Sequence, residues 1–213
     1  MMPPMSYPVA VSIAPPIANR DKLTTAFRLI LALPHLILVG GVATSVMSLR
    51  SNEAVSLSGN TGILGAIAWM LAMVSWLTIV LSGQHVAGIR EFTMFVLRWR
   101  ARSIAYSMLL VDDYPPFGDA AYPVSLTIVD PPGPRDRLTV GLRLLLVIPH
   151  AVMLYFVTLG WWITSVVAWL AILVTGGYPG GLYNFGAGVF RWNLRVEAYL
   201  LLLVDDYPPF SLE

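Results

Sequence analysis

Two histidines each follow a proline inside an apolar run, as Pro34-His35 and Pro149-His150. A proline removes one helix hydrogen bond and frees a carbonyl, so a polar site can form beside each imidazole. Ionisable groups within a membrane segment mark functional sites by default. Two symmetric imidazoles suit a haem iron held on both faces, because His is a usual axial ligand. They also suit proton transfer or a quinone contact. The plainer role is a hydrogen bond from each ring to a freed carbonyl or another polar group across the helices.

A second pair of motifs is Asp112-Asp113-Tyr114 and Asp205-Asp206-Tyr207, each followed by Pro-Pro-Phe. Paired carboxylates bind hard cations, yet neither pair has the regularly spaced extra ligands of a calcium loop. Acid–base chemistry would also need a cleft with further polar groups. The Tyr-Pro-Pro-Phe stretch reads as a rigid extended clamp, with its Asp paired to Arg98, Arg102, Arg191 or Arg195. No metal site is expected. Arg28 and Arg143 lie about one turn inside apolar runs and are expected to snorkel to headgroups. Together with Arg98, Arg102, Arg191 and Arg195 they are the candidate contacts to anionic lipid. No Ser-His-Asp set, HExxH or GxSxG occurs, so no catalytic residue is assigned.

These residues sit in an unusually apolar chain. Of 213 residues 57% are hydrophobic and 12% charged, half the charge of an average soluble domain. Net charge is +1, so no basic field points to nucleic acid. Without cysteine there is no disulfide framework and no thiolate chemistry. The composition predicts an integral membrane protein. Ile63–Ser82 is an uncharged run of bilayer length, and a second span fits 23–49. Leu144–Thr175 is uncharged throughout and too long for one ordinary crossing. Extended back to Leu138, it suggests a hairpin turning near Gly160, with spans of about 138–158 and 161–175. Four spans put every Lys and Arg except Arg50 on one side, so both termini are expected in the cytoplasm. The start Met1–Pro16 lacks the basic region of a signal peptide.

The chain is also duplicated. Arg20-Asp21-Lys22-Leu23-Thr24 recurs as Arg135-Asp136-Arg137-Leu138-Thr139, and Arg28 and Pro34-His35 recur as Arg143 and Pro149-His150, all 115 positions on. Further along the offset is 93: Trp69 and Trp76 match Trp162 and Trp169, and Val111–Phe117 recurs intact as Val204–Phe210. The units are 1–118 and 119–213. The 22-residue difference falls in the first hairpin, around the polar loop Arg50–Thr61. Two units of equal orientation imply a pseudo-two-fold axis along the membrane normal. Each unit begins with an extended piece. In the second, Val124, Leu126 and Ile128 alternate with Ser125 and Thr127.

A third helix is expected in each unit, over about 89–111 and 182–204. Phe92, Val96, Trp99 and Tyr106 form one apolar stripe, as do Phe185, Val189, Trp192, Val196 and Tyr199. Crossing the bilayer would cost about 2.5–3.5 kcal/mol for each central charge, so these helices are expected to lie in the interface with arginines reaching phosphates. The tandem unit, with its Pro-His, its Arg-Trp-x-x-Arg helix and its VDDYPPF ending, resembles the bacterial membrane family filed as domain of unknown function 4389. The resemblance implies a multi-pass membrane protein, often actinobacterial, and brings no activity or ligand.

The fold expected is all-α in the membrane: a tandem repeat of a transmembrane helical hairpin plus an interfacial amphipathic helix, with short cytoplasmic extended segments that pair. The expected role is non-enzymatic, as a scaffold, assembly factor or accessory subunit in a bacterial cell membrane. Its expected partners are lipids and other membrane subunits or a second copy, with no cofactor. The alternatives are lipid or amphiphile binding between the repeats and, third, a b-type cytochrome with haem on His35 and His150.

Overall fold

Each repeat opens on a five-residue strand, β1 (Val9–Ile13) and β2 (Val124–Ile128). β2 buries Val124, Leu126 and Ile128 and exposes Ser125 and Thr127, as its alternation requires. The strands pair antiparallel, and Val11 lies opposite Leu126, its own counterpart 115 positions on. Pairing between equivalent residues places a pseudo-two-fold axis through the centre of the ribbon. The structure, a computed structural model, describes residues 7–14, 20–42, 62–131, 133 and 135–213.

Helices follow each strand. Asp21 caps α1 (Lys22–Ala26), its carboxylate accepting from the Leu23 and Thr24 N–H groups; Asp136 caps α5 (Arg137–Leu146) through the Leu138 N–H. Such caps satisfy donors that the first turn leaves open. Next come α2 (Arg28–Val39) and α3 (Gly62–Ser82) in the first repeat, and α6 (Ile148–Thr175) in the second. Each repeat ends in one more helix, α4 (Ala87–Ser107) or α7 (Gly180–Leu200).

The hairpin expected to turn near Gly160 does not form. α6 runs unbroken through Gly160. In the first repeat α3 starts against the end of α2: a Cβ on Gly62 would lie 2.6 Å from the Leu38 carbonyl carbon, and Gly62 itself has φ +65°. Only glycine adopts such a conformation freely. By the two offsets, Val39 and Gly62 match Leu154 and Tyr155, which are consecutive in α6. The first repeat therefore interrupts a helix that the second runs through. The polar loop expected at Arg50–Thr61, and residues 43–49 of the first expected span, lie outside the described residues. Two helices, α3 and α6, are long and apolar enough to cross a membrane by length and composition.

α4 and α7 are packed on two sides. α4 packs on α2 and α3 with one face and on β2 with another, and α7 packs on α6 and β1. Val96 and Trp99 meet Val39 and Ala68. Around the helix from these, the Arg98 Nε donates to the Leu126 carbonyl of the ribbon at 3.3 Å. The apolar stripe thus meets α2 and α3, and Arg98 meets the ribbon. Between α4 and α7, Arg100 and Glu197 form a cross-repeat ion pair, Nε to Oε1 3.1 Å.

Both helices end earlier than their periodicity suggests, because Leu109 and Leu202 turn to φ 65° and 63°. The Leu110 N–H then reaches back to the Ala105 carbonyl at 2.8 Å, and the Leu203 N–H to the Ala198 carbonyl at 3.0 Å. This is the six-to-one closure that usually takes a glycine.

The repeats also join end to start. The Arg20 N–H donates to the Gly176 carbonyl at the end of α6, and the Arg135 N–H to the Gly83 carbonyl at the end of α3. Trp169 Nε1 donates to the Thr25 carbonyl and Trp76 Nε1 to the Val140 carbonyl, both at 3.0 Å. Lys22 Nζ caps the Val174 carbonyl at 2.9 Å, a cation at a helix C-terminus as the helix dipole favours.

Candidate functional site

His35 and His150 occupy two equivalent seams, each between the repeat's apolar helix and its α4 or α7. Both are fully buried. Trp99 Nε1 donates to His35 Nδ1 at 2.9 Å, and Trp192 Nε1 to His150 Nδ1 at 3.1 Å. An indole N–H can only donate, so each Nδ1 is an acceptor and each ring carries its proton on Nε2. Neither Nε2 has a hydrogen-bond partner. Phe117 stacks on His35 with centroids 4.3 Å apart, and Phe210 on His150 at 3.8 Å. Tyr114 and Tyr207 close the cages at 5.1 and 4.8 Å. The two cages share no residue, so the structure does not bring His35 and His150 to one ligand. Pro34 lies inside α2 and Pro149 in the first turn of α6. The histidines bond an indole, not a freed proline carbonyl.

The VDDYPPF motif is what closes each cage, and an arginine pair holds it there. Arg28 NH2 reaches Asp112 Oδ1 at 2.7 Å, and Arg20 NH1 reaches the same oxygen at 3.2 Å. Arg143 and Arg135 hold Asp205 Oδ1 at 3.0 and 2.6 Å. The same guanidiniums take carbonyls at and just beyond the ends of α4 and α7. Arg28 NH1 donates to Val111 at 2.5 Å, and Arg143 NH1 to Tyr199 at 2.6 Å and Val204 at 3.0 Å. Arg20 NH1 donates to the strained Leu109 at 2.5 Å, and Arg135 NH2 to Leu202 at 3.1 Å. Helix C-termini leave such carbonyls unpaired. Arg28 and Arg143 also lie over the rings of Tyr106 and Tyr199, at 4.6 and 4.2 Å.

These placements revise several expectations. Arg28 and Arg143 are each 1% exposed; they point into the protein, not toward headgroups. The clamp's partners are Arg20, Arg28, Arg135 and Arg143 rather than Arg98, Arg102, Arg191 and Arg195. Arg102 instead binds Asp119 at 2.8 Å and the Gly118 carbonyl at 2.6 Å. Arg98 approaches Asp119 at 3.7 Å, Arg195 bonds the Ser211 carbonyl, and Arg191 is half-buried. The paired aspartates do not converge: Asp112 and Asp205 turn inward, while Asp113 and Asp206 are exposed. Among the described residues no group of three or more His, Asp or Glu is placed to hold a metal ion.

The sequence reading missed Arg20 and Arg135 as clamp residues, although they recur at the same offset as Arg28 and Arg143. It also missed Asp119 and the Arg100–Glu197 pair, which leave no repeated signal. Burial outweighs Arg100 and raises Glu197 above the usual carboxylate range. It likewise raises the Tyr122 and Tyr7 hydroxyls, which donate to the Asp113 and Asp206 carbonyls beside the clamps.

The family model described as Domain of unknown function (DUF4389) matches residues 60–118 and 137–211. The chain belongs to this family. It carries two tandem copies, and each matched segment contains one VDDYPPF motif and the α4 or α7 helix before it. No curated protein and no solved structure matches the chain.

Proposed function

We propose that this DUF4389 protein is a non-enzymatic membrane protein, a scaffold or accessory subunit of a larger complex in a bacterial cell membrane. One observation carries the reading. The residues able to do chemistry are consumed in holding the fold. Each inward aspartate is shared by two arginines, and each imidazole is enclosed by three aromatic rings of its own repeat. What remains outside is apolar surface on the long helices, which suits lipid and protein partners. Nothing in the geometry favours a ligand between the repeats at His35 and His150, or haem shared by them.

Purification in mild detergent tests this, with native mass and absorption read on one sample. Stoichiometric additional polypeptides support an accessory role. Bound lipid alone replaces it with lipid binding. A Soret band that is lost in His35→Ala or His150→Ala overturns it in favour of a cytochrome.

A further inference from the structure

We infer that the long apolar helices do not cross the bilayer, and that the protein sits in one leaflet with its two-fold axis along the membrane normal. The inference rests on the chain's being embedded in a membrane, not on its acting as a scaffold.

The argument is geometric. The axis through Val11 and Leu126 can lie along the normal or in the membrane plane. In the plane, the centre of the ribbon would fall at the bilayer midplane. Its outer face carries exposed Ala10, Ser12, Ser125 and Thr127, and the Asp119 carboxylate lies close by, held to Arg98 and Arg102. Polar side chains and a two-stranded ribbon with open edges have no partners in hydrocarbon. Along the normal, the ribbon's outer face meets water.

With the axis along the normal, equivalent residues share one depth. Arg20 touches Gly176 and Arg135 touches Gly83, so the start of each repeat's apolar helices meets the end of the other's. Starts and ends therefore lie at the same depth. Only α5, ten residues and about 15 Å long, separates the start of the second repeat from α6. The helices can then dip by no more than about half of a 30 Å hydrocarbon core.

The surface matches. α3 fully buries only the stripe Gly65, Ala68, Ala72, Ser75 and Ile79, half-buries residues flanking it, and leaves Ile63, Met70, Met73, Val74, Leu77 and Leu81 exposed. Most exposed large hydrophobics among the described residues lie on α1–α3 and α5–α6, and the ribbon packs on the far side of α4 and α7. Tyr114 and Phe117, with their counterparts Tyr207 and Phe210, remain partly exposed in the seams between the two helical layers. That is where aromatic side chains anchor at a membrane surface. The occupant of the apolar face is the acyl layer of one leaflet.

Because the chain has no cysteine, single cysteines test this cleanly. Ser82→Cys and Thr175→Cys mark the exposed ends of α3 and α6, Ser125→Cys the ribbon, and Leu159→Cys the middle of α6. The full chain in right-side-out and inside-out bacterial vesicles is treated with an impermeant maleimide. The expected result is labelling of 82, 125 and 175 from one and the same side. A spin label at 159 should be relaxed by lipid-soluble oxygen and not by aqueous nickel. Labelling of 82 and 175 from opposite sides means that α3 and α6 each cross, and overturns the inference. Labelling of 159 from the side opposite to 125 means paired hairpins, and also overturns it; both outcomes leave the scaffold reading standing. A chain that washes off the vesicles and runs as a detergent-free dimer, with its apolar faces covered by a second copy, overturns membrane embedding itself.

Discussion

Trp161 lies so close to Gly186 that a Cβ on the glycine would stand 2.5 Å from the indole Nε1. The equivalent positions in the first repeat are Ala68 and Thr93. One repeat fills the space with a large ring on the apolar helix and nothing on α7; the other divides the volume between two small side chains. Trp161 is fully buried, so the pair is a sensitive probe of this packing. Gly186→Ala should cost about 1–3 kcal/mol through overpacking, and Trp161→Ala about 3–5 kcal/mol through the cavity. The double variant should cost less than the sum, measured by unfolding in detergent. A simple sum would mean that the two residues do not pack against one another.

Asp112→Asn and Asp205→Asn should each destabilise the protein strongly. Each leaves two buried arginines without their shared carboxylate, a loss of about 3–5 kcal/mol. Hydrogen exchange should then rise over 109–118 in the first variant and over 202–211 in the second. If only one repeat responds, the clamps are not equivalent.

His35→Ala should release Phe117 and Tyr114 from α2 and leave the Trp99 N–H unpaired. His35→Gln, which keeps an acceptor, should be milder. Limited proteolysis after Phe117 reads the difference. Equal cleavage in both variants would show that ring stacking, and not the indole bond, holds the cage.

Glu197 introduces a pH dependence. Burial raises its pKa above the ordinary 4.5 despite Arg100, so the folded state keeps this proton to higher pH than the unfolded chain. Its contribution is full below the ordinary value and falls as pH rises through the folded one. Stability measured from pH 4.5 to 8 should therefore shift in favour of Glu197→Gln, relative to the unaltered protein, as pH increases. A constant difference across that range would remove Glu197 as the source.

Ser12 and Ser125 face each other across the ribbon, both exposed. Directly opposed strand residues are within disulfide reach. Ser12→Cys with Ser125→Cys should close an intramolecular bridge on oxidation, seen as a faster gel band. Crosslinked dimers alone would place the two strands in different molecules.

Much of this architecture is readable in the sequence because it is local or repeated. The alternation of Val124, Leu126 and Ile128 gives the strand and its buried face, and the shared offset gives the symmetry. The stripe from Phe92 to Tyr106 marks the face of α4 that is covered, but not what covers it: amphipathicity is the same against lipid and against another helix. The turn expected at Gly160 came from the length of an uncharged run, which limits a helix only if it stands upright in a bilayer. The clamp was half legible. Asp112 needs a cation, but its partners Arg20 and Arg28 are 92 and 84 positions away, and no spacing rule reaches that far.

The pairing of Val11 with its own counterpart has an evolutionary consequence. A closed two-fold interface is what two identical chains make when they associate. A polypeptide holding a single repeat would expose one edge of its strand, and both helix ends now tied across the repeats would be open. It could close them by binding a second copy. The duplicated chain is in effect such a homodimer made permanent by fusion, and its halves have since been free to diverge, as Trp161 with Gly186 and Ala68 with Thr93 already have.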